Sequence, residues 1–586
     1  MLTPYDYFVI AMYFIFMVSI GVAFRSATKD TSDYFRGGGQ MLWWIVGSSA
    51  FMTQFSAWTF TGAAGKAYEN GIVVMVFYVA NAVGFFINYL GTAQRLRQMR
   101  IITTLEGIRQ RWDGGSEQFF IWLSIPVGIL TSGIALNGLG VILSSVFGIP
   151  LTLTILGAGL LVVVMTTMGG SWAATASDFI QMLLLMAVTA VTAVYALQAV
   201  GGVGEFIAHV PSASFTWGSL ERSSIMALWI LAVFLKQFLV INNMSDGYRY
   251  LCAKDDRHAR RGALLATGLF IVGPLIWFIP PMAARVLYPD LQAVPALQVL
   301  GTRVVDGAYL AISLDVLPQG MIGLLITGLF AATVSTMDTG LNKNTGMFIR
   351  SFYLTVLRPR AAERELVTAS KLTTILFGAL VILSGLYFSR LHELSLFNLM
   401  MQFTGLVSVP IAVPLMWGIF YRRTPSWSGW STVVVGLLVS LVMGNLTFFL
   451  GPDAYQRILF LDTPAERGEM SAVIFLLGVI GNLVIGSLWF LSSSRWYDRE
   501  PVAYREKITA FFERMRRPVD YASEHGVSSD RAQLRILGRL SLAYGVFVLL
   551  LTLIPNTWGG RAGFLAVGLL IGGIGALLLR ASRRAS

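Results

Sequence analysis

The sequence predicts an all-α polytopic membrane protein of about fifteen transmembrane helices, on three observations. Of the 586 residues, 55% are hydrophobic and only 13% charged, where a soluble domain carries about a quarter charged residues. Windows of roughly 20 apolar residues, the length that crosses a bilayer, recur along nearly the whole chain. Lys and Arg gather in alternate connecting segments, as the positive-inside rule requires.

Taken in order, the windows are 5–24, 43–64, 71–93, 118–147, 150–168, 173–199, 222–246, 262–285, 318–349, 372–389, 394–420, 428–450, 471–494, 537–555 and 560–580. An N-terminus outside and a C-terminus in the cytoplasm make the inner segments 25–42, 94–117, 247–261, 350–371, 421–427, 495–536 and 581–586. These carry 33 of the 43 Lys and Arg residues, counting Arg539 and Arg580 at their edges, against eight in the outer segments. The net charge of +12 is therefore a topology signal and gives no reason to invoke nucleic acid. A multi-pass location in the cell (plasma or inner) membrane follows, with the lipid bilayer as a partner and no obligate protein partner evident.

The start, "MLTPYDYF", lacks the basic n-region of a cleaved signal peptide, and Arg25 and Lys29 behind the first apolar run suit an N-out anchor. The single cysteine, Cys252, and four scattered histidines make no disulfide and no cysteine or histidine metal site. No loop is long enough for a catalytic domain, and no Ser–His or His-rich constellation lies within the spans. An enzyme is not expected. The long inner segment 495–536 is basic, and its stretch "YREKITAFFERMRR" predicts a helix on the membrane surface, held by anionic lipid or making a regulatory contact.

Two spans are irregular. The second, "WWIVGSSAFMTQFSAWTFTGAAG", mixes Ser, Thr, Gln and Gly throughout, and the seventh carries Lys236 in its middle and ends in "NNMSD". They stand five spans apart, so the second to sixth and the seventh to eleventh spans are expected to form two inverted five-helix repeats, a transporter plan with solute and ion at the midplane break. The units are then 1–30, an extra N-terminal helix; 31–425, the ten-helix core; 426–494, two further helices; 495–536, the basic loop; and 537–586, two last helices with a basic tail.

A charge in the bilayer core costs roughly 3 kcal/mol, so it lines a pathway or finds a partner. The charges here are few: Asp178, Lys236, Asp338 and, nearer the inner end, Lys343. Two carboxylates at similar depth, Asp178 and Asp338, repel unless a cation or a proton lies between them. In the ninth span, Ala332, Ser335, Thr336 and Thr339 fall at i, i+3, i+4 and i+7 and share a helical face. Hydroxyls, carboxylates and carbonyls freed by a break in the second span are what a sodium ion needs, by the logic of hard cations. The same hydroxyls can instead bond back to carbonyls of their own helix.

Four stretches resemble one family. "DYFRGGGQMLWWIVGSSAF" (33–51), "TTMGGSWAATASDFIQ" (166–181), "YRYLCAKDDRHARRGAL" (248–264) and "AATVSTMDTGLN" (331–342) are similar, in order, to motifs of the sodium:solute symporters, the group of the sodium–glucose, sodium–proline and sodium–sialic acid cotransporters. The matches cover roughly residues 1–425. The resemblance implies a leucine-transporter-type 5+5 fold and sodium-coupled import of a small polar organic solute by alternating access. It implies a sodium site of the Met52 and Phe55 carbonyls with Ala332, Ser335 and Thr336. A second sodium, found in some members, would fall on Asp178, Ser335, Asp338 and Thr339, with Asp338 departing from the more usual serine. For the solute, Trp58 and Thr59 stand where sugar carriers have Glu-Gln, which argues against a sugar held in the same way. Asn243 and Ser245 fall in the seventh-span site, and Gln54 and Trp58 offer an amide and a stacking face. Lys236 either neutralises a solute carboxylate or pairs within the bundle. The alternatives are a proton-coupled carrier of the same fold, with Asp178 or Asp338 as the proton site, and, further off, a transporter-like sensor.

Overall fold

The computed structural model describes residues 2–24, 37–168, 171–216, 223–391, 396–451, 453–460, 467–525 and 529–584. Every apolar window carries a helix, and the described residues contain no strand, only an isolated bridge between Met41 and Ala253. Ten described helices are long and apolar enough to cross a membrane. The apolar helices in the first, fifth, seventh and twelfth windows are shorter, and the second window is built from two pieces. Helices are the only open-chain solution here, because hydrocarbon offers backbone groups no partner.

The second span shows how sequence becomes function. Its first piece, Trp43–Thr53, ends where Gln54 leaves helical geometry, and Ser56 is fully extended (φ −154°, ψ 178°). The Ser56 hydroxyl then accepts the Trp58 amide at 3.3 Å and starts the second piece, a turn over Ala57–Phe60 followed by Gly62–Asn70. Ser is a favoured N-cap for this reason. The first piece packs on the eighth span, Asp256–Trp277, so closely that a Cβ on Gly47 would sit 2.6 Å from the Gly262 carbonyl oxygen. The seventh span, Ser223–Ile241, loses its helix over 242–247 at one end rather than in its middle.

The ninth helix, Met321–Phe348, lies at the centre, against the first, fourth and sixth spans and both pieces of the second. Its start is capped in trans. Asp6 of the first span is fully buried, and its Oδ1 accepts the Gly320 and Gly323 amides, each at 2.9 Å. A carboxylate there satisfies otherwise orphaned N–H groups and complements the helix dipole. The last two spans pair through small residues: a Cβ on Gly545 would lie 2.4 Å from the Gly572 nitrogen, the close approach that glycines permit between helices in lipid.

The basic inner segment differs from the expected surface helix. Its helix, Val502–Arg514, docks on protein: Lys507 Nζ donates to the Trp112 and Arg109 carbonyls at 2.6 and 3.0 Å. Arg100 pairs with Glu524 at 2.7 Å, and Gln533 accepts the Leu42 amide at 3.2 Å while donating to the Gln40 carbonyl at 2.8 Å. The Arg109 and Trp112 carbonyls belong to the end of the short helix Thr104–Arg111, and a helix end leaves its last carbonyls unpaired.

The Asp6 cap yields a prediction. Asp6→Ala removes the acceptor from two buried amides and is expected to lower stability by about 1–2 kcal/mol, read as an earlier melt of the detergent-purified protein. Asp6→Asn, which keeps an acceptor oxygen, is expected to melt close to the original. An unchanged melt for the alanine variant would show that the cap carries no stability.

Candidate functional site

The break in the second span and the middle of the ninth helix meet at Thr336. Its Oγ1 lies 2.7 Å from the Phe55 carbonyl oxygen, 3.1 Å from that of Ala332 and 3.4 Å from that of Met52. One hydroxyl has one proton and can satisfy one of the three carbonyls. Four oxygens converging from two helices form a hard-cation donor set without a formal charge. Of the five residues expected around a sodium ion, four are brought together here.

The fifth, Ser335, is turned elsewhere. Successive helix positions point about 100° apart, so Ser335 faces the sixth span, Ser171–Val200, and donates to Asp178 Oδ1. Ser49 of the second span donates to Asp178 Oδ2. The same carboxylate faces Arg249, whose Nη2 lies 3.4 Å away and also donates to Thr339 Oγ1. Asp178 and Arg249 are both buried. Asp178, Ser335 and Thr339, three of the four positions expected to hold a second cation, thus surround a guanidinium of the protein itself. The fourth, Asp338, is half-buried and accepts the Asn342 amide at 2.9 Å. Lys343 pairs with Asp246 at 3.2 Å rather than with Asp338.

Arg249 and Asp246 were not singled out by sequence reasoning, which placed Arg249 in an inner loop. The signal was present: two buried carboxylates required a cation, and Arg249 follows directly on the frayed end of the seventh span. That frayed segment is shaped by Asn243, whose Oδ1 accepts the Ser245 and Asp246 amides at 2.8 and 3.1 Å and whose Nδ2 donates to Asp246 at 3.0 Å. A short side chain bonding its own backbone in this way competes with the helix and ends it.

Beside these clusters lies a cavity of about 290 Å³, lined among others by Gln54, Trp58, Phe77, Lys236, Asn243, Ser245, Thr336 and Thr339. It runs from mid-depth, where Trp58, Phe77 and Lys236 meet, toward the end of the ninth helix that carries Lys343 and Met347. Its deep end is closed by aromatic packing. Trp58 stacks on Phe397 (centroids 5.7 Å, planes 16° apart), and its Nε1 donates to the Leu396 carbonyl at 3.1 Å. Five of the six residues expected to meet solute line this cavity. Thr59 does not: it is buried, and its Oγ1 accepts the Tyr78 hydroxyl at 2.9 Å. The eleventh span widens to a π-turn over Thr404–Ser408, and Thr404 and Ser408 line the cavity; such turns are frequent at functional sites.

Comparison with known proteins gives the family. The family model described as "Sodium:solute symporter family" matches residues 34–436. The chain is 26% identical over 462 residues to a sodium/glucose cotransporter of Vibrio parahaemolyticus, covering 74% of this chain and 83% of that protein. It is 26% identical over 575 residues to the sodium/myo-inositol cotransporter 2 of Rattus norvegicus, covering 86% and 81%. The sodium/sialic acid symporter SiaT of Proteus mirabilis (strain HI4320) is 26% identical over 449 residues, covering 75% and 88%. Among solved structures, the substrate-bound outward-open state of a Na+-coupled sialic acid symporter superposes with a TM-score of 0.64 at 22% identity. That match covers 83% of this chain and 98% of the other. The fold is thus of the leucine-transporter type. With a family match over most of its length, this multi-pass membrane chain belongs to the sodium:solute symporter family and couples sodium to the symport of a small solute.

Proposed function

We propose that the chain imports a small polar organic solute across the cell membrane by alternating access, with its N-terminus outside and its C-terminus in the cytoplasm. The orientation rests on the 33-to-8 division of basic residues between inner and outer segments. The observation that carries the mechanism is the Thr336 hydroxyl set among the Met52, Phe55 and Ala332 carbonyls. A sodium ion seated there links the joint of the second span to the ninth helix. A solute that prefers the linked arrangement then binds more tightly, and the coupling is reciprocal. Gln54, Trp58, Lys236, Asn243 and Ser245 form the solute chamber; Thr59 serves packing. One charge moving through 100 mV is worth about 2.3 kcal/mol, to which the sodium concentration gradient adds.

The position formed by Asp178, Ser335 and Thr339 is read as one cation place with an internal occupant, Arg249, in this arrangement. Coupling then uses one sodium while Arg249 is seated. A buried carboxylate left alone by loss of its cation is costly, about 3–5 kcal/mol, so either Arg249 or a sodium ion holds it.

Two predictions separate these clusters. Thr336→Val keeps the shape and removes the oxygen; it is expected to abolish the sodium-specific rise in melting temperature, measured against potassium at equal ionic strength, and sodium-driven uptake with it. Ser335→Ala is expected to keep the sodium-specific rise, since Ser335 points to Asp178. Retention by the valine variant and loss by the alanine variant would invert the assignment. The second concerns Arg249→Gln, expected to destabilise the protein in potassium by about 3–5 kcal/mol and to show a larger sodium-induced rise than the unaltered chain. An equal rise in both proteins would mean that sodium does not replace the guanidinium.

A further inference from the structure

The charges facing the chamber balance except for one. Arg249 stands against Asp178, and Lys343 against Asp246. Lys236 is only 3% exposed, and among the described residues no carboxylate lies within ion-pair distance of it. Its nearest stabilising partner is the Phe77 ring, 4.7 Å from Nζ to the centroid. Its neighbour Gln237 also lines the chamber, but its amide donates to Asn81 and carries no charge. A cation–π contact lessens the cost of such a charge but does not neutralise it.

On the solute reading above, on which this inference rests, we propose that Lys236 is the counter-ion of a small organic monocarboxylate and that the cargo is an acid rather than a neutral sugar or polyol. One uncompensated ammonium matches one negative charge; a dianion such as a phosphate ester would leave a second charge buried and unpaired. The rest of the wall fits the remainder of such a molecule. Trp58 and Phe77 give apolar faces. Gln54 supplies an amide, and the polar atoms of Asn243 are already committed to the backbone and Asp246. A volume of about 290 Å³ lies at the small end of ligand pockets.

The test compares acid and amide partners on the full chain purified in detergent: pyruvate with pyruvamide, L-lactate with lactamide, benzoate with benzamide, and nicotinate with nicotinamide. Ligands that bind only the folded protein raise its melting temperature. At least one acid is expected to raise the melt, with its amide about 10- to 100-fold weaker, the discrimination given by a charge-assisted hydrogen bond. Lys236→Met is expected to erase the acid's effect while keeping the response to sodium, and Lys236→Arg to restore part of it. Equal action of acid and amide, no action by any acid, or an acid effect that survives Lys236→Met overturns the proposal. The acid–amide comparison in the unaltered chain decides it even where a variant does not fold. It is run in potassium as well as sodium, so failure of the sodium site leaves the acid preference readable, and failure of the acid preference leaves the sodium-specific melt readable.

Discussion

In hydrocarbon, a backbone carbonyl without a partner costs several kcal/mol, and a helix that stops mid-membrane frees such carbonyls. The break at 54–56 is therefore the constraint on which the rest of the molecule depends. The Met52 carbonyl accepts the Phe55 amide at 3.2 Å, and the ninth helix brings the Thr336 hydroxyl to the Phe55 carbonyl at 2.7 Å. One hydroxyl proton cannot serve every lone pair that converges there, which leaves room for a cation to compete. The surroundings hold the ninth helix in register: Asp6 caps its start, Ser335 reaches Asp178 in its middle, and Lys343 is tied to Asp246 toward its end.

Charge in the low-dielectric interior is treated in the same way. Asp178 receives Ser49, Ser335 and Arg249; on the side toward residues 295–307, Arg303 pairs with Asp306 at 3.1 Å and donates to Asn137 Oδ1 at 3.0 Å. The Asp178–Arg249 pair and the Arg303–Asn137 bond join elements from different parts of the chain. Asp178 belongs to the sixth span and Arg249 to the segment after the seventh, so their ion pair links the two stretches expected to form separate five-helix repeats. A buried pair of this kind adds little net stability against an apolar alternative, but breaking it is expensive, which suits a contact that is exchanged for another cation rather than lost.

Most of the fold was legible because the bilayer simplifies it. Span length and the irregular second span depend on composition over windows, and they reappear as helices and a break. Thr336 was legible because residues three and four apart share a face. The same rule placed Ser335 with it, but a stripe of four residues is wide enough to face two neighbours, and Ser335 donates to Asp178 of the sixth span. Thr59 was drawn into the solute site by its place next to Trp58, but one step along a helix turns the side chain away, in this case onto Tyr78. Arg249 was hidden for a different reason. Hydropathy places an arginine outside the hydrocarbon, and nothing local says that its long side chain returns to a carboxylate 71 residues earlier. The protein contacts of the basic loop were hidden likewise, since Lys507 meets carbonyls of a helix end whose exposure only packing reveals.

The two pieces of the second span are held by different parts of the molecule. Trp43–Thr53 is bound to the eighth span at Gly47, to the sixth through Ser49, and by the Gln533 contact at Leu42 to the start of the fourteenth span. The second piece is bound to the eleventh span through Trp58 and, through Tyr68, to the Tyr288 carbonyl at 2.6 Å beyond the end of the eighth. Between them only Gln54, Phe55 and Ser56 carry the chain; the Met52 carbonyl sits just before that joint and the Phe55 carbonyl within it. An ion bound to both carbonyls and to Thr336 therefore selects one angle between the pieces and one position of the ninth helix at once. In the proposed cycle no separate relay from ion to solute is required, because Gln54, Trp58 and Thr336 line the solute chamber themselves. The proposed coupling is local: the joint that would hold the ion is part of the wall that would meet the cargo.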